Sequence, residues 1–354
     1  MERFHLEKLL GNAVRENASD LHLKIGSVPI MRVEGNLIPL ETQVLNKELM
    51  GGVIKSALRE TQQVYFDKHK NLDFSLEIDI NGDKQRFRVN AGADNDGPYL
   101  TFRVIQSKIR EVSTLGFPYD VWTDITDLQE GLVLVTGITG SGKTTTLASM
   151  IERINMTRGD RIVTIEDPIE YVYTPKKSLI SQRELGVNVS SFAEGVKYSL
   201  RQDPDIILIG EIRDKETAKH ALEASQTGHL VFSTLHTGSA AETTRRYIDL
   251  FPPEEQTHVR EALAANLAYV LSQKLIPYQK GKGRTLAMEV MNARVSAIKN
   301  NIREGKYQYL FNTIQTHSKF KMITMDQHLV QLNQAGKISD ADRIKYSPGI
   351  EPSK

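Results

Sequence analysis

The stretch Gly137-Ile-Thr-Gly-Ser-Gly-Lys143-Thr144 lies between the apolar run Leu132-Val-Leu-Val135 and the helix-prone Thr145-Thr-Leu-Ala-Ser-Met-Ile151. It matches the pattern G-x-x-x-x-G-K-[ST] in full, after a predicted buried strand and before a predicted helix. Glycines at 137, 140 and 142 let the backbone curl so that its N–H groups point at phosphate oxygens. The helix that starts near Lys143 adds the positive end of its dipole. Lys143 supplies a point charge for the β- and γ-phosphates and the Thr144 hydroxyl a ligand for Mg²⁺, with Thr139, Ser141 and Thr145 completing the cradle.

Around this loop, 354 residues exceed what one core usually organises, so two domains are expected. A 40% apolar and 25% charged composition is that of an ordinary soluble protein. With 45 basic and 44 acidic residues the net charge is +1, so no global field draws the chain to nucleic acid or membrane. No basic-aromatic stretch marks a nucleic-acid surface, and such a partner is not expected. The absence of cysteine excludes disulfides, thiolate catalysis and Cys-ligated zinc. No apolar run approaches the roughly 20 residues that span a bilayer, and the start Met-Glu-Arg-Phe-His-Leu-Glu-Lys lacks a signal peptide's apolar core. A cytoplasmic protein without direct membrane insertion is therefore expected.

Residues 1–108 read as a small α+β domain. Leu6, Leu9, Leu10, Ala13 and Val14 have helical spacing up to about Asn17, and Leu21, Leu23 and Ile25 alternate as a strand. Glu34-Gly35-Asn36 marks a return through Leu37 and Ile38, and one helix is predicted from about Asn46 to Phe66. Leu72 to Ile80 alternates up to the hairpin signal Asn81-Gly82, whose mate is Gln85 to Asn90. Phe87 and Val89 then face one way and Arg86 and Arg88 the other; after the turn Asp94 to Gly97, Leu100, Phe102 and Val104 likewise oppose Arg103. The arginines share the non-core face of one sheet, either as a solvated face or as guanidinium forks meeting phosphate or an acidic partner. The stretch Glu111-Val-Ser-Thr-Leu-Gly-Phe-Pro118 has no clear period, and a linker is placed over 109–118.

From 119 to 354 four apolar runs recur at α/β spacing: Leu132 to Val135, Ile162 to Ile165, Ile206 to Ile209 and Leu230 to Phe232. A parallel or mixed sheet covered by helices follows, with ligands gathered at the carboxyl ends of the strands. After the second run, Glu166-Asp-Pro-Ile-Glu170 offers carboxylates for Mg²⁺ or for water, or a merely solvated acidic turn. The third run ends in Gly210-Glu211, a Walker B arrangement in which Gly210 stands where many such proteins have Asp, leaving Glu211 to divide its service between metal and water. His229 and His236 flank the fourth run, and their residue types leave open structural hydrogen bonding or γ-phosphate sensing. Beyond Phe251-Pro-Pro-Glu254, Val259, Leu263, Leu267, Val270 and Leu271 fall near helical spacing, and helices are predicted over about 255–345.

Together these motifs resemble those of the secretion-superfamily hexameric ATPases, and most closely their type IV pilus retraction branch. Thr164-Ile-Glu-Asp-Pro-Ile-Glu170 is similar to that family's Asp box, Arg201 to Asp214 to its Walker B region, and Thr227-Gly-His229 to His236-Thr237 to its His box. Ala297-Ile-Lys-Asn-Asn-Ile-Arg-Glu304 is similar to the branch signature A-I-R-N-L-I-R-E, departing from it at Lys299 and Asn301. The turn Ala91 to Gly97 is acidic where many relatives are more basic. Extension and type II secretion ATPases generally carry a four-cysteine zinc motif, which is absent here. The resemblance implies a PAS-like N-terminal domain, a RecA-like P-loop domain with a helical C-terminal extension, and a homohexamer using ATP and Mg²⁺ held between the two domains. It further implies that Glu170 orients or activates water, that Glu211 is the Walker B acid, that Arg88 and Arg103 approach the phosphates, and that His229 and His236 sense the γ-phosphate. Implied partners are an inner-membrane pilus platform protein, at whose cytoplasmic side the ring would sit, and an accessory ATPase.

Overall fold

The computed structural model describes residues 6–348 apart from 34, 81, 106–108 and 282. The chain divides into two compact units, Met1–Lys108 with Pro168–Val172, and Ile109–Asp167 with Tyr173–Lys354.

The first unit runs α1 (Leu6–Arg15), β1 (Asp20–Lys24), β2 (Ile30–Val33), β3 (Asn36–Pro39), α2 (Lys47–Ala57), α3 (Glu60–His69), β4 (Asn71–Ile80), β5 (Asp83–Asp94) and β6 (Gly97–Ile105). Its sheet has the order β3-β2-β1-β6-β5-β4, with every pair antiparallel. Leu10 of α1 and Met50 of α2 pack with Leu21, Phe87, Val89, Leu100 and Phe102, so the alternating apolar side chains define one buried sheet face. Gly82 takes the left-handed φ of +92° between β4 and β5, while Asn81 and Glu34 of the predicted turns lie outside the described residues. The single helix expected over 46–66 is two helices. Leu58 adopts an extended conformation, and α3 restarts on a cap in which Arg59 N–H donates to Gln62 Oε1 at 2.9 Å. Burial of Leu58 draws the chain inward there, a tertiary effect that helical periodicity does not reveal.

In the second unit follow α4 (Val121–Thr126), β7 (Gly131–Thr136), α5 (Lys143–Thr157), β8 (Arg161–Glu166), β9 (Leu179–Glu184), α6 (Phe192–Ser199), β10 (Ile206–Ile209), α7 (Lys215–Gln226) and β11 (Leu230–Leu235). The remainder is α8 (Ala240–Asp249), α9 (Pro253–Asn266), β12 (Leu267–Pro277), β13 (Arg284–Asn292), α10 (Ser296–Arg303), α11 (Leu310–Thr316), α12 (Met325–Gln334) and α13 (Asp340–Tyr346). The sheet order is β13-β12-β7-β11-β10-β8-β9, parallel except for the antiparallel β12–β13 pair. A phosphate-loop strand separated from the Glu211 strand by one intervening strand is the RecA-like arrangement, so the α/β class expected from the apolar runs is the one observed.

One expectation is corrected here. The helical stretch predicted over about 255–345 is interrupted: α9 ends at Asn266, and Leu267–Pro277 and Arg284–Asn292 are strands β12 and β13. β12 is buried on both faces over its first seven residues, so it shows no alternation, and its apolar residues satisfy a helical template equally well. Residues 109–118, where a linker is expected, are grouped with the second unit; Val112 and Phe117 are buried there, and the 3₁₀ turns Val112–Thr114 and Pro118–Asp120 form in and beside this stretch.

Inside the C-terminal part, His328 of α12 is buried and accepts the Met288 N–H on Nδ1 at 2.9 Å. Burial pushes its pKa down from 6.5 to about 4. The folded chain thus holds His328 neutral where the unfolded chain binds a proton, so stability is lost as pH falls from 6.5 towards about 4. That loss amounts to about 3 kcal/mol from this one residue. Urea unfolding across this window should show a smaller acid loss in His328→Gln than in the wild type; equal losses would remove His328 as a source.

Candidate nucleotide site

The phosphate loop leaves β7 at Thr136 and enters α5 at Lys143 through Gly142, whose φ is +91°. Gly137 has φ +142°, and a Cβ there would collide with the Gln273 carbonyl and come within 2.6 Å of the Ser141 hydroxyl. Here the lack of a side chain is what allows the loop to fold back against β12. Gln273, on β12, donates Nε2–H to Ser141 O at 2.7 Å and so holds the far limb of the loop as well. Lys143 is buried, its ammonium donating to the carbonyls of Gly137 at 2.8 Å and Ile138 at 3.3 Å, which places its charge inside the loop's curl. No side chain caps α5, and its first-turn N–H groups and dipole lie at the loop's end, an arrangement suited to anions. Ser141 is buried, Thr144 and Thr145 are half-buried, and Thr139 and Gly140 are exposed at the turn.

Glu211 follows β10 directly. A Cβ on Gly210 would press on Ile165 O and the Phe192 ring at 3.3 Å, while Thr234 Oγ1 donates to Gly210 O at 2.7 Å, tying the end of β10 to β11. The glycine thus serves close strand packing, which accounts for the residue found where a Walker B aspartate was expected. The Glu211 carboxylate is mostly buried, 13% exposed, and pairs through Oε1 with Arg213 and through Oε2 with His236 Nε2 at 3.5 Å. Glu211, Arg213, His236, Thr237 and Arg246 line a recess of about 350 Å³.

β11 lies between β7 and β10, and all three are parallel. The phosphate loop, His236 and Glu211 therefore share the carboxyl edge of three adjacent strands, spanning two inter-strand steps of about 4.8 Å each. His229 is not brought to this edge. It precedes β11, six residues of strand away from His236 and so about 20 Å from it. There its Nδ1 lies 3.0 Å from Ala224 O and from Thr227 Oγ1. The two histidines expected to act together thus sit at opposite ends of one strand, and only His236 shares the edge that carries Glu211 and the phosphate loop.

Of the Asp-box acids, Glu166 ends β8 buried, its Oε1 accepting from Thr164 Oγ1 at 2.6 Å and from Gln182 Nε2 at 3.1 Å. Glu170 is half-buried in the following loop, and Pro168–Val172 is grouped with the first unit rather than with Lys143 and Glu211.

On the first unit's open sheet face, register places Arg32, Asp20, Arg103, Arg88 and Ser75 in one cross-strand row. Asp20 is buried and accepts from Arg103 Nε at 3.0 Å, a partner that no local sequence signal reveals. Burial holds the neighbouring His22 below its ordinary range against the pull of Asp20, with Arg32 and Arg103 lowering it further.

The donors fit ATP and Mg²⁺. Ser141 Oγ is buried without a hydrogen-bond partner among the described residues, as is Glu211 Oε2 apart from its 3.5 Å ion pair with His236, and the Gly137 cradle is one that a Cβ would fill. Hydroxyl and carboxylate oxygens are the donors Mg²⁺ takes. Among the described residues no group of three or more His, Asp or Glu could hold a metal unaided, so phosphate oxygens would have to complete its shell.

Such a loop, acid and sheet order define a P-loop nucleotide hydrolase. The family described as "Type II/IV secretion system protein" matches residues 1–340, and the chain belongs to it and is an ATPase. The chain is 43% identical to the Type IV pilus retractation ATPase PilT of Pseudomonas aeruginosa, covering 94% of this chain and 95% of that one. It is 42% identical to a twitching motility protein of Neisseria gonorrhoeae, covering 88% and 82%. A crystal structure of the pilus retraction motor PilT with bound ADP superposes with a TM-score of 0.90 at 39% identity, covering 99% of this chain and 98% of that one.

Gly137→Ala should abolish measurable ADP binding in calorimetry while circular dichroism stays native. Retained wild-type affinity would show that the loop does not need its close approach to β12.

Proposed function

We propose that this chain is the motor of type IV pilus retraction, hydrolysing ATP with Mg²⁺ in a homohexameric ring to withdraw pilin subunits. The observation that carries the reading is the shared carboxyl edge of β7, β11 and β10, which sets Lys143 and the α5 N-terminus on one side and the Glu211–His236 pair on the other. Similarity to the pilus retractation ATPase over 94% of this chain and to the twitching motility protein over 88% supports the biological setting.

In this reading, the α5 N–H groups and Lys143 bind the phosphates, with Thr139, Gly140, Ser141, Gly142, Thr144 and Thr145 shaping the loop. Thr144 and Glu211 would hold Mg²⁺, partly through water, and the ion would supply positive charge to offset that of the phosphate oxygens. Glu211 also receives a proton from the attacking water, or orients that water, as Glu170 does from its own loop. His236, 3.5 Å from Glu211, reports the γ-phosphate to the loop that follows β11. Arg88 and Arg103 are the charges that the first unit offers to a phosphate, Arg103 exchanging Asp20 for it. The domains in that cycle are 1–108 and 119–354, joined through 109–118. The ring would act on an inner-membrane pilus platform protein from the cytoplasmic side, alone or beside an accessory ATPase. No helix among the described residues is long and apolar enough to cross a membrane.

Purified Lys143→Ala should show no ATP turnover, and Glu211→Gln should fall by about 10² or more, the ordinary scale of a lost general base. A deletion strain should be hyperpiliated and unable to twitch, restored by wild type and not by Lys143→Ala. Near-normal turnover in both variants would sink the site assignment, whereas loss of surface pili in the deletion strain would reassign the motor to pilus extension.

A further inference from the structure

A chain of four hydroxyls links the phosphate loop to the His236 loop through the interior of the second unit. Thr136 ends β7 immediately before Gly137, and its Oγ1 lies 2.8 Å from Oγ of Ser272, its register partner on β12. Thr243 on α8 brings its Oγ1 to 3.3 Å from that of Thr136 and to 2.7 Å from that of Thr237, the residue after His236. Thr136, Ser272 and Thr243 are fully buried, and Thr237 is 5% exposed.

Packing alone does not call for hydroxyls in such a place, because valine has nearly the shape of threonine and carries no polar group to desolvate. The Thr243 hydroxyl has one proton and three oxygen neighbours, the third being Ser239 O at 2.7 Å. Its one proton is directed mainly to Ser239 O or to a neighbouring hydroxyl, so the same heavy atoms support more than one pattern of donors. Both ends of the chain touch the proposed site. Ser272 precedes Gln273, which holds the phosphate loop, and Thr237 follows His236, which pairs with Glu211. The N-terminus of α8 is anchored separately, Ala240 N–H donating to buried Glu289 Oε1 at 2.7 Å, so removing one hydroxyl does not release the helix.

We propose that Thr136, Ser272, Thr243 and Thr237 form a positioning relay that fixes His236 relative to the phosphate loop, so that Thr243 serves the hydrolytic step rather than nucleotide binding. This rests on the reading of Glu211 as the acid that serves hydrolysis and of His236, paired with it, as the γ-phosphate sensor. None of the four donates to or accepts from substrate in this role; they hold the residues that do. Charge and protons balance trivially, since the relay only exchanges hydrogen-bond partners.

The test compares full-length wild type, Thr243→Val, Thr243→Ser and Lys143→Ala in steady-state ATP hydrolysis, ADP calorimetry and thermal melting. In Thr243→Val, kcat should fall about tenfold or more, as misplacement of a catalytic group does. KM and ADP affinity should stay within about twofold, the pattern of an interaction used only in the transition state. Thr243→Ser should recover most of the loss. Unchanged kcat in Thr243→Val, joint loss of kcat and ADP affinity, or failure of serine to rescue would each overturn the relay. If Thr243→Val does not fold, Ser272→Ala reads the same link from β12 under the same criteria. An inactive Lys143→Ala beside a normal Thr243→Val discards the relay alone, while an active Lys143→Ala discards the site reading beneath it.

Discussion

The phosphate loop depends on how closely it can approach β12. Gly137 lies against the Gln273 carbonyl so tightly that no Cβ fits, and the same residue's side-chain amide holds Ser141 O at 2.7 Å. The curl that turns N–H groups toward a phosphate is thus fixed from outside as well as by its own glycines. β12 in turn is held by nine register pairs to β13 and by its parallel pairing with β7. The C-terminal strands consequently support the loop rather than being packing appended to it.

Sheet order does the rest. Inserting β11 between β7 and β10 separates Lys143 from Glu211 by about two strand spacings, enough for a phosphate and a water between cation and carboxylate. Burial of the Glu211 carboxylate strengthens its interaction with whatever it faces, because the local dielectric is low. On the first unit's sheet face, Asp20 supplies Arg103 with a counter-charge that orients this guanidinium.

Much of this was legible in the chain itself. The phosphate loop and the four apolar runs announced the second unit, because buried parallel strands read as continuous hydrophobic segments. Alternation in 72–105 revealed the first unit's sheet and the face its arginines share. What stayed hidden was non-local. β12 carries apolar residues on both faces and mimics a helix; β9, at the sheet's edge, reads Leu-Ile-Ser-Gln-Arg-Glu and lacks a sustained apolar pattern. Asp20 meets Arg103 across 83 residues through strand pairing. His229 and His236 look equivalent in sequence, yet strand direction puts one at the amino end and the other at the ligand-bearing carboxyl end. The buried hydroxyls from Thr136 to Thr237 are likewise unremarkable until β12 and α8 bring them together.

The central claim is that Lys143, Glu211 and His236 converge on one γ-phosphate. A crystal structure of the full chain with Mg²⁺ and a non-hydrolysable ATP analogue tests it most directly. The account predicts the γ-phosphate within hydrogen-bonding reach of Lys143 Nζ, with His236 and a Glu211-bound water on its far side. A γ-phosphate turned away from the carboxyl ends of β10 and β11, with Glu211 still paired only to Arg213 and His236, would contradict it.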